Sequence, residues 1–168
     1  MKPEVVYTKS APKTGFSEGV ESPIAQGVRC GQFLFVSGQG PLDPVTKEVV
    51  SPDLAEQTRV TLDNVRAVLE AAGSSMRELV RFQTFLTHAA DIDGFMKARK
   101  EVFPRYFPDG VYPPNTILVV SRLVLPELLV EIEAMAVKPG ATNGRARPGA
   151  PGRGARASGR RKTSRRRG

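Results

Sequence analysis

The feature that most constrains the fold is a helix whose two ends are both specified, between residues 51 and 73. Ser51 is the candidate N-cap, and Pro52 suits the first helical position because the missing N–H of proline has no helical partner there. Gly73 provides the C-terminal stop. Apolar residues recur between these ends at three- and four-residue spacing, so the helix presents one face that has to be buried on a sheet. The members of this stripe are Leu54, Leu62, Val65, Val68, Leu69 and Ala72.

Several short segments have the composition of β-strands. Gln32–Val36 is the clearest, because it is aromatic and β-branched and is followed at once by turn residues. Cys30 and Gly31 form the turn of a hairpin that pairs this strand with the segment before it. In the last strand Glu131 and Glu133 alternate with apolar residues, so both carboxylates lie on one face. The other strands are expected at Val5–Thr8, Ala25–Arg29, Leu79–Leu86, Thr116–Val120 and Leu128–Val137.

A second helix is expected from Ile92 to about Tyr106, with Asp91 as its cap. Pro104 lies inside this stretch, so the helix should end or kink around Phe103. Its buried side is expected to consist of Phe95, Met96, Val102 and Phe103.

The order of these elements indicates the fold class. Strands, a helix, a strand, a helix and further strands predict an α+β domain in which two helices cover one face of a mixed sheet. The other face of such a sheet also has to be covered. Association with further copies of the chain is the economical way to cover it.

Charge is divided unevenly along the chain. The eleven charged residues from Lys138 onward are all Lys or Arg, whereas the preceding residues include 14 basic and 17 acidic ones. The segment from Ala141 onward has almost no large apolar side chains, so burial cannot offset the entropy of ordering it. We therefore expect a folded domain over residues 1–138 and a disordered basic tail over residues 139–168. The tail is either an inert solubilising extension or a nonspecific contact for nucleic acid.

Composition excludes several kinds of site. With Cys30 as its one cysteine and His88 as its one histidine, the chain has neither an intramolecular disulfide nor an ordinary zinc site. Gly38 and Gly40 are not followed by the helix and third glycine of a dinucleotide-binding loop, so no dinucleotide cofactor is expected. No apolar run approaches the ~20 residues needed to cross a bilayer, and a signal-peptide pattern is absent. The sequence therefore predicts a cytoplasmic protein that does not contact membranes.

Two interpretations stay open for the polar residues with a chemical argument. Ser37 is either a turn residue or a nucleophile, and a nucleophile needs a base such as His88. His88 itself belongs either to a surface loop or to a site. Glu131 and Glu133 are a possible pair for proton transfer, or simply the solvated face of a strand.

Four segments carry motifs that occur together in one protein family. They are Ser22–Gly27, Phe35–Pro41, Thr61–Val65 with Leu69–Gly73, and Val130–Val137. In order and spacing they resemble the Rid family, the YjgF-like reactive-intermediate deaminases that are also labelled endoribonuclease L-PSP. The resemblance extends over Val5–Val137.

This resemblance implies a chorismate-mutase-like α+β fold, assembled as a homotrimer with ligand clefts between neighbouring subunits. Many members hydrolyse 2-imino acids, which pyridoxal-phosphate enzymes release, to 2-keto acids and ammonia without a cofactor. An arginine clamps the substrate carboxylate, backbone groups at a Ser-Gly turn hold the imine, and a glutamate on the last strand positions water. The matching residues here are Ser37, Gly38 and Glu131.

The chain departs from the family pattern at the clamp. The resemblance places Asn115 at the position of the clamping arginine, Ile24 where deaminating members often have tyrosine, and Ile117 where they often have cysteine. Arg122 falls on a different family feature, seven residues after Asn115. An Arg–carboxylate contact contributes about 1.5–3 kcal/mol to binding. Its loss would weaken the binding of an imino acid and therefore counts against imino-acid hydrolysis. Arg99, where the family often has a cleft-facing asparagine, is either a relocated cation or a solvated helix residue.

Two functions therefore remain in view. The first is a Rid-type homotrimer that hydrolyses an enamine or imine metabolite, with Glu131 orienting water and Gly38 donating a backbone contact. In that site Asn115 replaces charge recognition with neutral hydrogen bonding. The second is a noncatalytic small-ligand or RNA-binding module in which the basic tail supplies affinity.

Overall fold

The computed structural model describes residues 2–13 and 23–138, and the predicted tail over residues 139–168 lies outside the described residues. Within them the chain forms one six-stranded sheet and two α-helices. The strands are β1 (Glu4–Val6), β2 (Gly27–Cys30), β3 (Phe33–Gln39), β4 (Leu79–Leu86), β5 (Asn115–Val119) and β6 (Val130–Val137). The helices are α1 (Leu54–Ala71) and α2 (Ile92–Tyr106).

The sheet is mixed, with the strand order β1-β2-β3-β6-β4-β5. β4 and β5 run parallel, and the other neighbouring strands are antiparallel. Both helices pack on the same face, where α1 lies over β3 and β6 and contacts α2 along its side. The α+β prediction of a mixed sheet with two helices on one face is thus confirmed.

The N-terminus of α1 differs from the prediction by two residues. Asp53, not Ser51, is the N-cap, and its carboxylate accepts a hydrogen bond from the Glu56 N–H at 2.9 Å. The Ser51 hydroxyl instead accepts from the Asp53 N–H at 3.0 Å, which orders the turn that leads into the cap. Pro52 therefore precedes the helix rather than beginning it. Both residues are good caps, and the ionised carboxylate makes the stronger interaction with the helix dipole.

The C-terminus of α1 is the predicted glycine stop. Gly73 has a φ of +67°, a left-handed conformation that favours glycine. The Gly73 N–H donates to the Glu70 carbonyl at 2.8 Å, and the Ser74 N–H donates to the Leu69 carbonyl at 2.9 Å. These two bonds form a Schellman motif and satisfy carbonyls that the helix leaves without partners.

The core forms between the helices and the covered face of the sheet. Leu62, Val65, Val68 and Leu69 of the predicted stripe are buried against it. Across the helix pair, the Tyr106 hydroxyl donates to the Asp63 carboxylate at 3.0 Å. Burial, and then the negative charge of Asp63, raises the pKa of the Tyr106 phenol, so the phenol stays the donor of this bond.

α2 has the predicted bounds and does not end at Phe103. It continues through Pro104 to Tyr106, because a proline this close to the C-terminus removes only one late hydrogen bond. Phe95 and Phe103 are buried as expected. Met96 is not, since 41% of it is exposed and it points to the surface beside β5.

The second face of the sheet is open and carries several exposed apolar residues. Phe33 and Phe35 of β3 are 50% and 45% exposed there, and their rings stack on one another. Leu118 of the edge strand β5 is also exposed, opposite Phe85 of β4. β6 lies between these two apolar groups and carries the exposed Glu133 on this face, so each group is a separate candidate interaction surface.

Candidate functional site

The pairing between the central strands β3 and β6 is interrupted at one point. The β3–β6 ladder pairs Val36 with Ala134 and then Gln39 with Ile132, so β3 has one residue more than β6 in this interval. The extra residue is accommodated by a β-bulge at Ser37–Gly38. Bulges of this kind release backbone groups from the ladder and are frequent beside active sites.

The bulge is held by three side-chain hydrogen bonds. The Ser37 hydroxyl donates to the Ala25 carbonyl at 2.7 Å, which favours the turn interpretation of this residue over the nucleophile. The Gln39 amide donates to the Ser37 carbonyl at 3.0 Å and to the Gly38 carbonyl at 3.3 Å. Gln39 is only 1% exposed, so its side chain is a fixed support for the bulge. No sequence pattern indicated this role, because a single glutamine after a Ser-Gly pair is not distinctive of a support for a bulge.

Glu131 of β6 lies against this bulge on the open face. A Cβ built on Gly38 would lie 2.7 Å from the Glu131 carboxyl carbon and 3.1 Å from its Cγ, closer than real side chains approach. Burial raises the pKa of the Glu131 carboxyl above its ordinary value, and the negative charge of Glu133 adds to the effect. A partly buried carboxyl group with a raised pKa, beside an open cavity, is a candidate for proton exchange with a ligand.

The bulge and Glu131 belong to an open cavity of about 690 Å³. Ile24, Ser37, Gly38 and Glu131 were all predicted site residues, and the structure brings them together here. Arg122, which follows β5, also lines this cavity although the family pattern did not assign it there. The remaining wall is mostly apolar and consists of Leu42, Leu123, Val124, Leu125 and Glu133.

A second cavity, of about 660 Å³, lies between α2 and the beginning of β5. Arg99 and Asn115 line it together. The Thr84 hydroxyl donates to the Asn115 side-chain oxygen at 3.1 Å, so the amide NH₂ is the group that Asn115 has available for a ligand. The other lining residues are Met96, Lys97, Lys100, Phe103, Tyr112 and Pro113.

Arg99 is partly withdrawn from solvent in this second cavity. Its guanidinium carbon lies 5.2 Å from the centre of the Phe103 ring, a cation–π arrangement. Burial lowers the pKa of Arg99 from its usual value, although an arginine stays protonated at any physiological pH. The guanidinium is therefore a fixed positive charge, held by an aromatic ring.

The two cavities lie on opposite faces of the sheet. Asn115 pairs with Phe82, which faces the helices, whereas Glu131 pairs with Phe85, which faces the open side. Ile117 is on the helix side as well, and it packs at the edge of the core. One subunit therefore does not bring Asn115 or Ile117 to Glu131.

The other candidates lie apart from both cavities. His88 is exposed at the end of β4, and Cys30 is a half-buried free thiol at the β2–β3 turn. Over residues 2–13 and 23–138, no three His, Cys, Asp or Glu side chains are grouped as metal ligands would be. Neither α1 nor α2 has the length and hydropathy of a membrane-crossing helix.

Comparison with known proteins gives one consistent result. The model of the family described as endoribonuclease L-PSP matches residues 17–138. A RutC family protein of Pyrococcus horikoshii is 39% identical and covers 80% of this chain and 98% of its own length. Escherichia coli TdcF, provisionally named a reactive intermediate deaminase, is 33% identical over 80% of this chain and 97% of its own.

The solved structures agree with the sequence relatives. E. coli TdcF with bound serine and the E. coli YjgF gene product each have a TM-score of 0.70 and 32% identity. Each alignment covers 81% of this chain and 99% of the other. The chain therefore belongs to the endoribonuclease L-PSP family, the YjgF-like or Rid family that its sequence motifs resemble.

Proposed function

We propose that this protein hydrolyses enamine or imine metabolites of the 2-imino acid type to carbonyl compounds and ammonia, in a cleft between the subunits of a homotrimer. The observation that carries the proposal is the Glu131 carboxyl, whose pKa is raised, beside a backbone bulge in an open cavity. The name of E. coli TdcF points to the same chemistry.

The reaction needs one proton-transfer group and one water. The Glu131 carboxylate accepts a proton from water as the oxygen adds to the imine carbon, and the resulting acid protonates the amine nitrogen. The C–N bond then breaks as the carbonyl forms, and ammonia leaves with the remaining proton. Gly38 contributes a backbone contact at the imine, and no cofactor takes part.

A second subunit supplies the other wall of the cleft. The Glu131 cavity carries Glu133 as well, whereas the Asn115 cavity carries Lys97, Arg99 and Lys100. These two surfaces are complementary in charge and are different patches of the same chain. A head-to-tail contact between different patches forms a ring when its rotation closes, and a three-fold rotation gives the proposed trimer. Closing the ring around the open sheet face would also bury Phe33 and Phe35.

Substrate recognition is shared between the two walls. Asn115 presents its amide NH₂ as a neutral hydrogen-bond donor. Arg99 lies beside it and supplies the positive charge that is lost where Asn115 replaces the family's clamping arginine. Ile24 lines the Glu131 cavity, and Ile117 adds an apolar edge near Asn115. The serine bound to E. coli TdcF is a small carboxylate of suitable class.

The catalytic proposal is tested by adding the protein to the imine that threonine dehydratase releases and timing keto-acid formation. We expect acceleration over spontaneous hydrolysis, and we expect Glu131→Ala to abolish it. Glu101→Ala, an exposed α2 change outside both cavities, is the matched control. Equal rates with and without the wild-type protein would refute deamination.

The assembly is tested separately by light scattering of the wild-type protein. We expect the mass of a trimer. A monomer would leave Asn115 and Glu131 on unconnected surfaces and would overturn the intersubunit site.

A second candidate, RNA binding, is favoured by the eleven basic residues from Lys138 onward and by the endoribonuclease description of the family. Counterion release would make the affinity fall steeply with salt. We expect deletion of residues 141–168 to abolish salt-sensitive RNA binding while imine hydrolysis is retained. Unchanged RNA binding after the deletion would remove this candidate.

A further inference from the structure

Arg122 places a positive charge on the same wall as Glu131. It lines the Glu131 cavity, its side chain is exposed, and none of the ion pairs within residues 2–13 and 23–138 involves it. Its planar guanidinium fork suits bidentate contact with a carboxylate. Arg122 is therefore available to a ligand without breaking an existing contact.

The opposite wall already has cations of its own. Arg99, Lys97 and Lys100 line the Asn115 cavity, and no described ion pair involves them either. When the two cavities face each other, these cations and Arg122 lie on different sides of the reacting centre. The carboxylates of the cleft are Glu131 and Glu133, which lie on the same wall as Arg122.

One substrate carboxylate needs the cations of one wall, not those of both. We infer that the site selects 2-imino acids that carry a second anionic group in the side chain, and that Arg122 is the residue that recognises this group. The inference rests on the proposed function, because it assigns the α-carboxylate to Arg99 and Asn115 on the neighbouring wall. A substrate of this class would span the cleft with its α-carboxylate at Arg99 and its second anionic group at Arg122.

The test compares two five-carbon keto acids that differ in one charged group. 2-Oxoglutarate has a second carboxylate, and 2-oxopentanoate ends in a methyl group. We expect calorimetry at low salt to find 2-oxoglutarate bound about tenfold more tightly by the full-length wild-type protein, the effect of one charge-assisted contact. Arg122→Gln should bring the two dissociation constants together without changing that of 2-oxopentanoate.

Three variants make the comparison specific. Arg122→Lys should keep part of the preference, because it keeps the charge but loses the fork. Arg99→Gln should weaken both ligands by a similar factor. Arg77→Gln, an exposed change away from both cavities, should change neither. The basic tail is present in every variant, so its nonspecific attraction for anions is common to all of them.

Equal affinity of the wild-type protein for the two ligands would overturn the inference, as would no binding of either ligand. An unchanged preference in Arg122→Gln would overturn it as well. These outcomes differ from failure of the proposed function, which is a lack of imine hydrolysis by the wild-type protein. If the protein hydrolyses imines but shows no preference for ligands with a second anionic group, deamination is supported and only the role of Arg122 is refuted.

Discussion

Gly38 and Glu131 share one small space: the carboxyl of Glu131 lies where the Cβ of any other residue at position 38 would stand. The hypothetical Cβ would be 2.7 Å from the carboxyl carbon, while the φ of Gly38 is not in the left-handed region. Any larger residue at position 38 would therefore have to displace the Glu131 side chain, whereas the backbone conformation itself would allow it. The bulge brings the Gly38 backbone and the Glu131 carboxyl into direct contact.

We predict that Gly38→Ala will displace Glu131 and lower kcat/KM for imine hydrolysis at least about tenfold, since misplacement of a reacting group by about 1 Å has effects of this order or larger. Gly40→Ala is the matched control, because its Cβ would meet only Leu128 methyl carbons at 3.6 and 3.7 Å. Steady-state kinetics of both variants checks the prediction. Equal loss in the two would indicate a general effect on the fold.

Glu131→Gln separates catalysis from stability. At pH values between the ordinary pKa of a glutamate and the raised pKa of Glu131, the native protein keeps a proton that the unfolded chain has released. The free energy of unfolding therefore falls as the pH rises through this window, and above the raised pKa the whole loss is present. Glutamine does not titrate, so the variant should be more stable than wild type above the window.

The same variant should lose about a hundredfold or more in kcat, the usual contribution of a general base. Urea unfolding at several pH values together with kinetics tests both effects. If the free energy of unfolding of wild type and of Glu131→Gln had the same pH dependence, the raised pKa of Glu131 would be contradicted.

Glu133→Gln is expected to change the pH dependence rather than the chemistry. The charge of Glu133 is the second cause of the raised pKa of Glu131, after burial. Without it that pKa falls part of the way back, so the acidic limb of the kcat/KM profile should move to lower pH. Glu101→Gln, remote from Glu131, should leave the profile unchanged. A shift to higher pH would show that Glu133 acts on another group.

Local chemistry predicted most of the fold. The stripe on α1, the Gly73 stop and the alternation along β6 were confirmed, because each depends on residues close in the chain. The N-cap was wrong by two residues because Ser51 and Asp53 both satisfy the cap pattern. Only the tertiary position of the turn decides between them.

Less of the candidate site than of the fold could be predicted from the sequence. The predicted residues divide between two faces of the sheet, and Arg122 joins Glu131 in a way that the family pattern did not indicate. Met96 was wrongly predicted to be buried, because helical periodicity does not distinguish a core face from a face that lines an open cavity. Such distinctions depend on the pairing register of strands that lie far apart in the sequence.

Gln57 is a support of the site that no motif revealed. It is fully buried on α1, where its amide NH₂ donates to the Ser51 and Glu127 carbonyls at 2.8 and 2.9 Å. Its oxygen accepts from the Leu129 N–H at 2.8 Å, two residues before Glu131. This one side chain thus positions both the segment that leads into α1 and the segment that leads into β6.

We predict that Gln57→Leu will lower the free energy of unfolding by about 3 kcal/mol, because it nearly preserves volume but leaves three backbone groups without partners. Chemical denaturation measures this loss, and Gln32→Leu at an exposed turn position is the control. Because the start of β6 is released, kcat/KM should also fall at temperatures where the variant remains folded. A loss below about 1 kcal/mol would mean that water replaces the amide, since a bridging water is nearly as good as a direct bond. The position of β6, and with it that of Glu131, would then depend on the sheet ladder rather than on α1.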